Sequence, residues 1–170
     1  MLDFIRIGCA VPPVSVGDVQ KNTEDVLRKI RQADAQGCDV VVFPELALTG
    51  YTCADLFFQE TLLSASVAGI ARIIEESTAH PGIVAVVGVP LVIAGQMYNC
   101  GAVISGGVLR GIVPKTYLPN YSEFYERRWF SSSMDSRAEL ERHTEQDQGG
   151  HEEGSGCREG WTHQPAQSGT

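Results

Sequence analysis

Three side chains in this sequence of 170 residues have the types and settings for acid–base and charge-stabilising chemistry: Glu45, Lys115 and Glu123. Glu45 lies in Val41-Val42-Phe43-Pro44-Glu45-Leu46-Ala47-Leu48, where an apolar run stops at a proline and a carboxylate follows. The end of a parallel-type strand is where open α/β sheets place ligands. Apolar residues wrapped around such a carboxylate would raise its pKa and suit it to general-base work. The same pattern fits a surface-loop glutamate, the commoner case. Lys115 stands between two prolines in Val113-Pro114-Lys115-Thr116-Tyr117-Leu118-Pro119. An ammonium on a rigidly held stem can stabilise a developing oxyanion, although a lysine at a strand end is more often merely solvated. Glu123 falls in Asn120-Tyr121-Ser122-Glu123-Phe124-Tyr125-Glu126-Arg127-Arg128, which reads as a polar turn with aromatic packing and local Glu/Arg pairing. Two carboxylates and a lysine do not by themselves name a reaction.

The elements that must position these groups follow from periodicity. Phe4 to Val11 alternates and is β-branched, predicting a first strand that ends at Pro12-Pro13. Asp18 is placed to cap a helix running to about Gln36, since Val19, Thr23, Val26, Ile30 and Ala33 recur at helical spacing and Gly37 follows as a stop. Val40 to Phe43 predicts a short buried strand. A second helix is expected from Asp55 to about Ala79, with Leu56, Leu63, Val67, Ile70 and Ile74 on its apolar face. Ile83 to Val89 predicts a third strand, and Tyr98 to Ser105 and Val108 to Val113 flank a Gly106-Gly107 hairpin turn. The order β-α-β-α-β-β defines an α/β layer fold.

Composition divides the chain near Phe130. Residues 131–170 contain no Val, Ile, Phe or Tyr, and no periodicity, so they are expected to be a disordered low-complexity tail. Up to Phe130 there are 10 basic and 13 acidic residues, and the tail adds 3 basic and 8 acidic. No basic patch points to nucleic acid. The longest apolar run, Gly82 to Gly95, is too short to span a bilayer and holds Pro90, and the start lacks a secretory-signal pattern, so a cytoplasmic protein is expected. Cysteines at 9, 38, 53, 100 and 157 show neither a disulfide framework nor a zinc pattern, and His80, His143, His151 and His163 match no metal-ligand spacing.

The stretches "VVFPELALTGY", "ADLFFQETLL" and "YNCGAVISGGVLRGIVPKTYLPNYSEFYERRWF" resemble the carbon-nitrogen hydrolase (nitrilase) superfamily. Within it they resemble the N-terminal glutamine-hydrolysing domains of the glutamine-dependent NAD synthetase branch. The resemblance covers nearly all of residues 1–130. It implies an α-β-β-α sandwich, here incomplete, and the attack of a cysteine thiolate on the amide of glutamine, releasing ammonia. By this resemblance Glu45 matches the general base, Lys115 the oxyanion-stabilising lysine, Glu123 a supporting glutamate and Tyr121 a substrate-contacting position. The intact family protein is expected to form homo-oligomers.

The family's nucleophile belongs to a β-branched strand ending in Cys-Glu-Asp downstream of Lys115, and the sequence contains no such segment. Cys157 lies in Gly156-Cys157-Arg158-Glu159, preceded by residues without strand character, and the other four thiols read as packed or loop cysteines. Ser105-Gly106-Gly107 resembles a phosphate-gripping loop, but Leu109 and Arg110 stand where that loop needs Asp and Ser. ATP would therefore belong to a separate synthetase domain, and no cofactor is expected on this chain. The favoured reading is an amidohydrolase fragment, inactive by itself, whose residues 131–170 are out of frame. The alternatives are a free-standing amidase or carbamoylase fragment and a non-catalytic binding or assembly protein.

Overall fold

A computed structural model describes residues 4–134, all within the first of two units into which the chain divides. The strands are β1 Ile7–Cys9, β2 Val40–Val42, β3 Val84–Ile93, β4 Gln96–Ser105 and β5 Val108–Pro114, and the α-helices are α1 Val19–Ala35 and α2 Glu60–Glu76. They form one five-stranded sheet in the order β1-β2-β3-β4-β5. The first three strands run parallel and the last two join as antiparallel hairpins. The expected α/β class is therefore present, as one helical layer against one sheet among the described residues.

Helix α1 follows its sequence signals closely. Asp18 caps it by accepting from the Lys21 N–H at 3.0 Å, and Val19, Thr23, Val26, Ile30 and Ala33 are all buried. Helix α2 departs from expectation at both ends and in phase. Asp55 lies in a separate 3₁₀ turn, Ala54–Phe58, and a second such turn, Ser77–Ala79, follows the helix. The buried face is Leu62, Ser66, Gly69, Ile70 and Ile73, whereas Leu56 and Val67 are exposed.

Close helix approach explains the shifted phase. A Cβ at Gly69 would lie 2.7 Å from Thr23 Oγ1 of α1 and 3.2 Å from Leu48 Cδ1. Small residues thus face the partner helix, and hydrophobicity does not mark that face. Gly69→Ala is expected to destabilise by about 1 kcal/mol, because an overpacking cost of about 1–3 kcal/mol exceeds a helix-propensity gain of about 1 kcal/mol. Urea unfolding measures the sign; a stabilised variant would show that Thr23 yields freely.

The sheet buries one face and leaves the other open. Val41, Ala85, Val87, Val89, Cys100, Ala102 and Ile104 are buried with α1 and α2, while on the opposite parity Ile7, Val42 and Val113 are exposed. The third strand runs four residues past Val89, through Pro90 to Ile93, and turns at Ala94-Gly95 into β4. Pro90 fits there because β2 pairs only with Val84–Val86, so no strand flanks β3 at Pro90 on that side. The first strand is shorter than the alternation over residues 4–11 predicts: Ile7–Cys9 pair with β2, and the flanking Arg6 and Ala10 add backbone bonds to Asp39, Val40 and Val42.

The compositional boundary at Phe130 falls short of the last docked residues. Ser131 N–H donates to the Met97 carbonyl at 2.8 Å, Ser132 Oγ to the Thr116 carbonyl at 2.5 Å, and Ser133 N–H to the Lys115 carbonyl at 3.2 Å. Backbone and hydroxyl bonds hold this short extension, so apolar content gave no sign of it. The expected disordered tail from residue 135 onward, with Cys157, His143, His151 and His163, lies outside the described residues.

Candidate active site

Glu45 is positioned by a turn held from below. Phe43 N–H bonds the Val86 carbonyl at 2.9 Å, and the next three residues cross directly over Gly88. A Cβ there would stand 2.3 Å from the Pro44 carbonyl oxygen and 2.5 Å from Leu46 N, so only glycine lets the Glu45 backbone sit this low. Leu46 adopts a left-handed φ of 51°, a conformation that strains a branched side chain. Its carbonyl accepts from Gly50 N–H at 2.8 Å and Thr49 N–H at 3.1 Å, and its side chain is buried. Asn22 of α1 completes the support by donating to the Leu48 carbonyl at 3.0 Å.

Leu46, Ala47 and Leu48 are buried in the core and do not wrap the carboxylate, as the sequence reading had them do. Glu45 itself is half-exposed, and its Oε2 accepts from Lys115 Nζ at 2.8 Å and Asn99 Nδ2 at 3.1 Å. Lys115 continues the β5 pairing through its N–H to the Asn99 carbonyl at 2.8 Å. Its ammonium also reaches Glu126 Oε1 at 3.0 Å. Partial burial works to lower the Lys115 pKa, but the bonds to Glu45 and Glu126 outweigh it, and the net shift is upward. The ammonium stays charged throughout the physiological range, as oxyanion stabilisation needs.

Glu126, and not Glu123, is the second carboxylate of this cluster. The turn Tyr121 to Phe124, closed by Phe124 N–H on the Tyr121 carbonyl with Ser122 at a φ of 51°, folds the chain back. Glu126 N–H then reaches the Pro119 carbonyl at 3.2 Å, and its side chain is swung beneath Lys115. Glu123 is exposed and borders a separate depression with Tyr51, Phe124, Tyr125 and Trp129. Both glutamates sit among aromatics in sequence, so only the turn distinguishes them.

The Glu126 carboxylate is 2% exposed, and its Oε2 has no hydrogen-bond partner. Its Oε1 also accepts from the Tyr51 hydroxyl at 2.5 Å. Burial, and then the bond to Glu126, hold the Tyr51 phenol well above its ordinary range. Tyr51 and Asn99 went unnoticed as site residues. Tyr51 stands six residues after Glu45 in the quoted motif, but nothing in sequence says which way its ring turns. Tyr121, the expected substrate contact, is exposed, with its ring edge-on to Phe124 at 5.8 Å; Phe124 in turn meets Tyr51 at 6.4 Å.

The cluster borders a cavity of about 460 Å³ on the open side of the sheet, lined by Phe43, Glu45, Gly88, Asn99, Gly101 and Lys115 among others. Gly101 of β4, where a Cβ would meet nothing closer than 3.7 Å, leaves it room. Cys100 also borders the cavity, but it is buried, and burial pushes its thiol up to about 12, far from the thiolate that nucleophilic attack needs. Cys53 is likewise buried with its pKa raised. Among the described residues no group of three or more His, Cys, Asp or Glu could hold a metal ion, and no helix is long and apolar enough to cross a membrane.

A carboxylate–lysine–carboxylate cluster at the strand ends, beside an open cavity, has the groups for acid–base and charge-stabilising chemistry. The carbon-nitrogen hydrolase family profile matches residues 6–160, and the chain belongs to that family. It is 39% identical over 137 residues to the glutamine-dependent NAD(+) synthetase of Mycobacterium leprae, covering 81% of this chain and 20% of that protein. To the glutamine-dependent NAD(+) synthetase of Xylella fastidiosa it is 42% identical over 131 residues, covering 76% and 24%. The chain thus spans about a fifth to a quarter of these relatives' length.

Among solved structures, a glutamine-dependent NAD(+) synthetase from Cytophaga hutchinsonii superposes with a TM-score of 0.67 at 32% identity, over 75% of this chain and 22% of that one. An amidase from Nesterenkonia sp. matches at a TM-score of 0.66 and 19% identity, over 75% and 48%, which shows the shared fold.

Proposed function

We propose that the chain carries the base and the oxyanion-stabilising cation of an amide-hydrolysing site that supplies ammonia from glutamine. The observation that carries this reading is the Glu45–Lys115–Glu126 cluster at the mouth of the open cavity. Glu45, half-exposed and held at 2.8 Å from Lys115, is free to accept a proton from an attacking group and return it to a leaving amine. Lys115, kept charged, faces the cavity where a carbonyl oxygen would gain negative charge. Glu126 holds the ammonium from its buried side and takes the supporting role that the sequence assigned to Glu123. Tyr121, exposed, is retained as a substrate contact.

Similarity to the NAD synthetases supports glutamine as the amide, and it carries with it a cytoplasmic location, homo-oligomeric assembly of the whole enzyme, and ATP bound by a synthetase portion. None of the four described cysteines is placed to attack: Cys9 and Cys38 lie on and beside β1, and Cys53 and Cys100 are buried. The purified chain is therefore expected to release no ammonia from glutamine above background. A chimera in which this chain's residues 6–134 replace the matching stretch of the Mycobacterium leprae synthetase is expected to release it, and Glu45→Gln in that chimera should lower kcat by about 10²–10⁴-fold. A chimera whose glutamine hydrolysis ignores Glu45→Gln would sink the reading. Turnover by the chain alone that is abolished by both Glu45→Ala and Cys157→Ala would instead make Cys157 a nucleophile.

A further inference from the structure

We propose that Asp55, Arg128 and Trp129 form a positioning clamp that keeps the Glu126 carboxylate seated on Lys115 and Tyr51. The Asp55 carboxylate receives three donors: Arg128 Nε at 2.8 Å, Arg128 Nη2 at 2.7 Å and Trp129 Nε1 at 3.1 Å. The guanidinium fork on both carboxylate oxygens fixes direction as well as distance. Beneath it the buried Phe57 packs against Trp129 and Phe130, with ring centroids 5.7 and 5.0 Å apart.

The clamp adds direction to a segment otherwise held by the Lys115–Glu126 ion pair and by the ring contacts of Phe57 and Tyr51. From Tyr121 to Phe130 the backbone bonds of the described residues are local, closing onto Pro119, Tyr121, Tyr125 and Glu126. Side chains therefore tie the segment to the loop that follows Glu45. The hydrogen-bonding ties are Tyr51 to Glu126 and Asp55 to Arg128 and Trp129. Each pair of partners lies close in sequence, Tyr51 four residues before Asp55 and Glu126 two before Arg128. Fixing one pair thus restricts the other.

Glu126 has reason to leave if released. It is buried with Oε2 unpartnered, and a carboxylate gains by turning toward water. The proposal deepens the functional reading by naming what seats its supporting carboxylate. It rests on that reading only for what Glu126 does, since the test reads placement and not turnover.

Tyr51 reports that placement. Its hydroxyl faces Glu126, with Glu45 and Tyr121 as the other charged or titratable groups acting on it. The contribution of Tyr51 is assigned by the difference that Tyr51→Phe makes to phenolate absorbance at about pH 11. In the purified chain Asp55→Ala is expected to lower the Tyr51 midpoint and so to raise the phenolate absorbance at that pH above that of the parent chain. Asp55→Glu should restore part of the delay, and Arg72→Ala, which breaks the unrelated pair with Glu24, should leave it unchanged. Helical circular dichroism checks folding in each variant, and Arg128→Gln and Trp129→Phe repeat the measurement with fewer contacts removed. An unchanged Tyr51 midpoint in folded Asp55→Ala would overturn the clamp. Loss of the whole fold in Asp55→Ala and Arg128→Gln alike would also overturn it, by showing that the contact serves the core.

Discussion

Lys115→Met is expected to lower stability by about 3 kcal/mol at neutral pH, because it leaves the buried Glu126 carboxylate without its cation. The methionine keeps most of the apolar stem, so the loss is one of charge compensation and not of volume. Tyr51 remains as one donor to Glu126 Oε1, which places the figure at the lower end of the range for broken buried pairs. The partner Glu45 contributes little, since it is half-exposed and water replaces the lysine there. A further measurement separates this account from a general loss of packing. Lys115→Met combined with Glu126→Gln should recover most of the loss, because no uncompensated charge then stays buried. Urea midpoints of the single and double variants decide it; an equal loss in both would show that Lys115 acts through its stem alone.

Gly88→Ala is expected to cost about 3 kcal/mol and to move Glu45 away from Lys115. The added Cβ would meet backbone on three atoms, the Pro44 oxygen at 2.3 Å, Leu46 N at 2.5 Å and the Glu45 carbonyl carbon at 2.8 Å. Backbone cannot swing aside as a flexible side chain can, and Leu46 is already in a strained conformation and locked by its carbonyl bonds to Thr49 and Gly50. The turn must lift as a unit. Urea unfolding gives the energy, and the coupling between Glu45→Gln and Lys115→Met in the Gly88→Ala background gives the geometry: it should fall toward zero. A cost below about 1 kcal/mol with the coupling intact would show that the crossing is looser than these distances imply.

The elements were legible wherever a pattern repeats. Helix α1 was set by five apolar or small positions at helical spacing, a capping Asp18 and a terminal Gly37, and each occupies its predicted place. The Gly106-Gly107 hairpin, with both glycines at positive φ, was readable because few other residues adopt that turn. Helix α2 was read partly out of phase: Ile70 is buried as expected, but Leu62, Gly69 and Ile73 replace Val67 on the inward side, where Gly69 lets α1 approach. Close approach selects for small size, which hydrophobic periodicity does not register.

Two members of the cluster were marked in sequence by their residue types at strand ends. Glu45 after a proline-stopped strand and Lys115 between prolines carry their own local signals, and family resemblance joins them into one site across 70 residues. The identity of the second carboxylate was decided by tertiary structure. Glu123 and Glu126 share the same aromatic neighbourhood in the chain, and the choice rests on a left-handed turn at Ser122 and a 3₁₀ turn at Glu126–Arg128 that no propensity specifies. The same holds for Tyr51, Asn99 and Asp55, whose partners lie 75, 54 and 73 residues away. A hydrogen bond needs a distance near 3 Å and a direction, and both depend on how two distant segments meet; sequence spacing carries that information only within a single helix or strand.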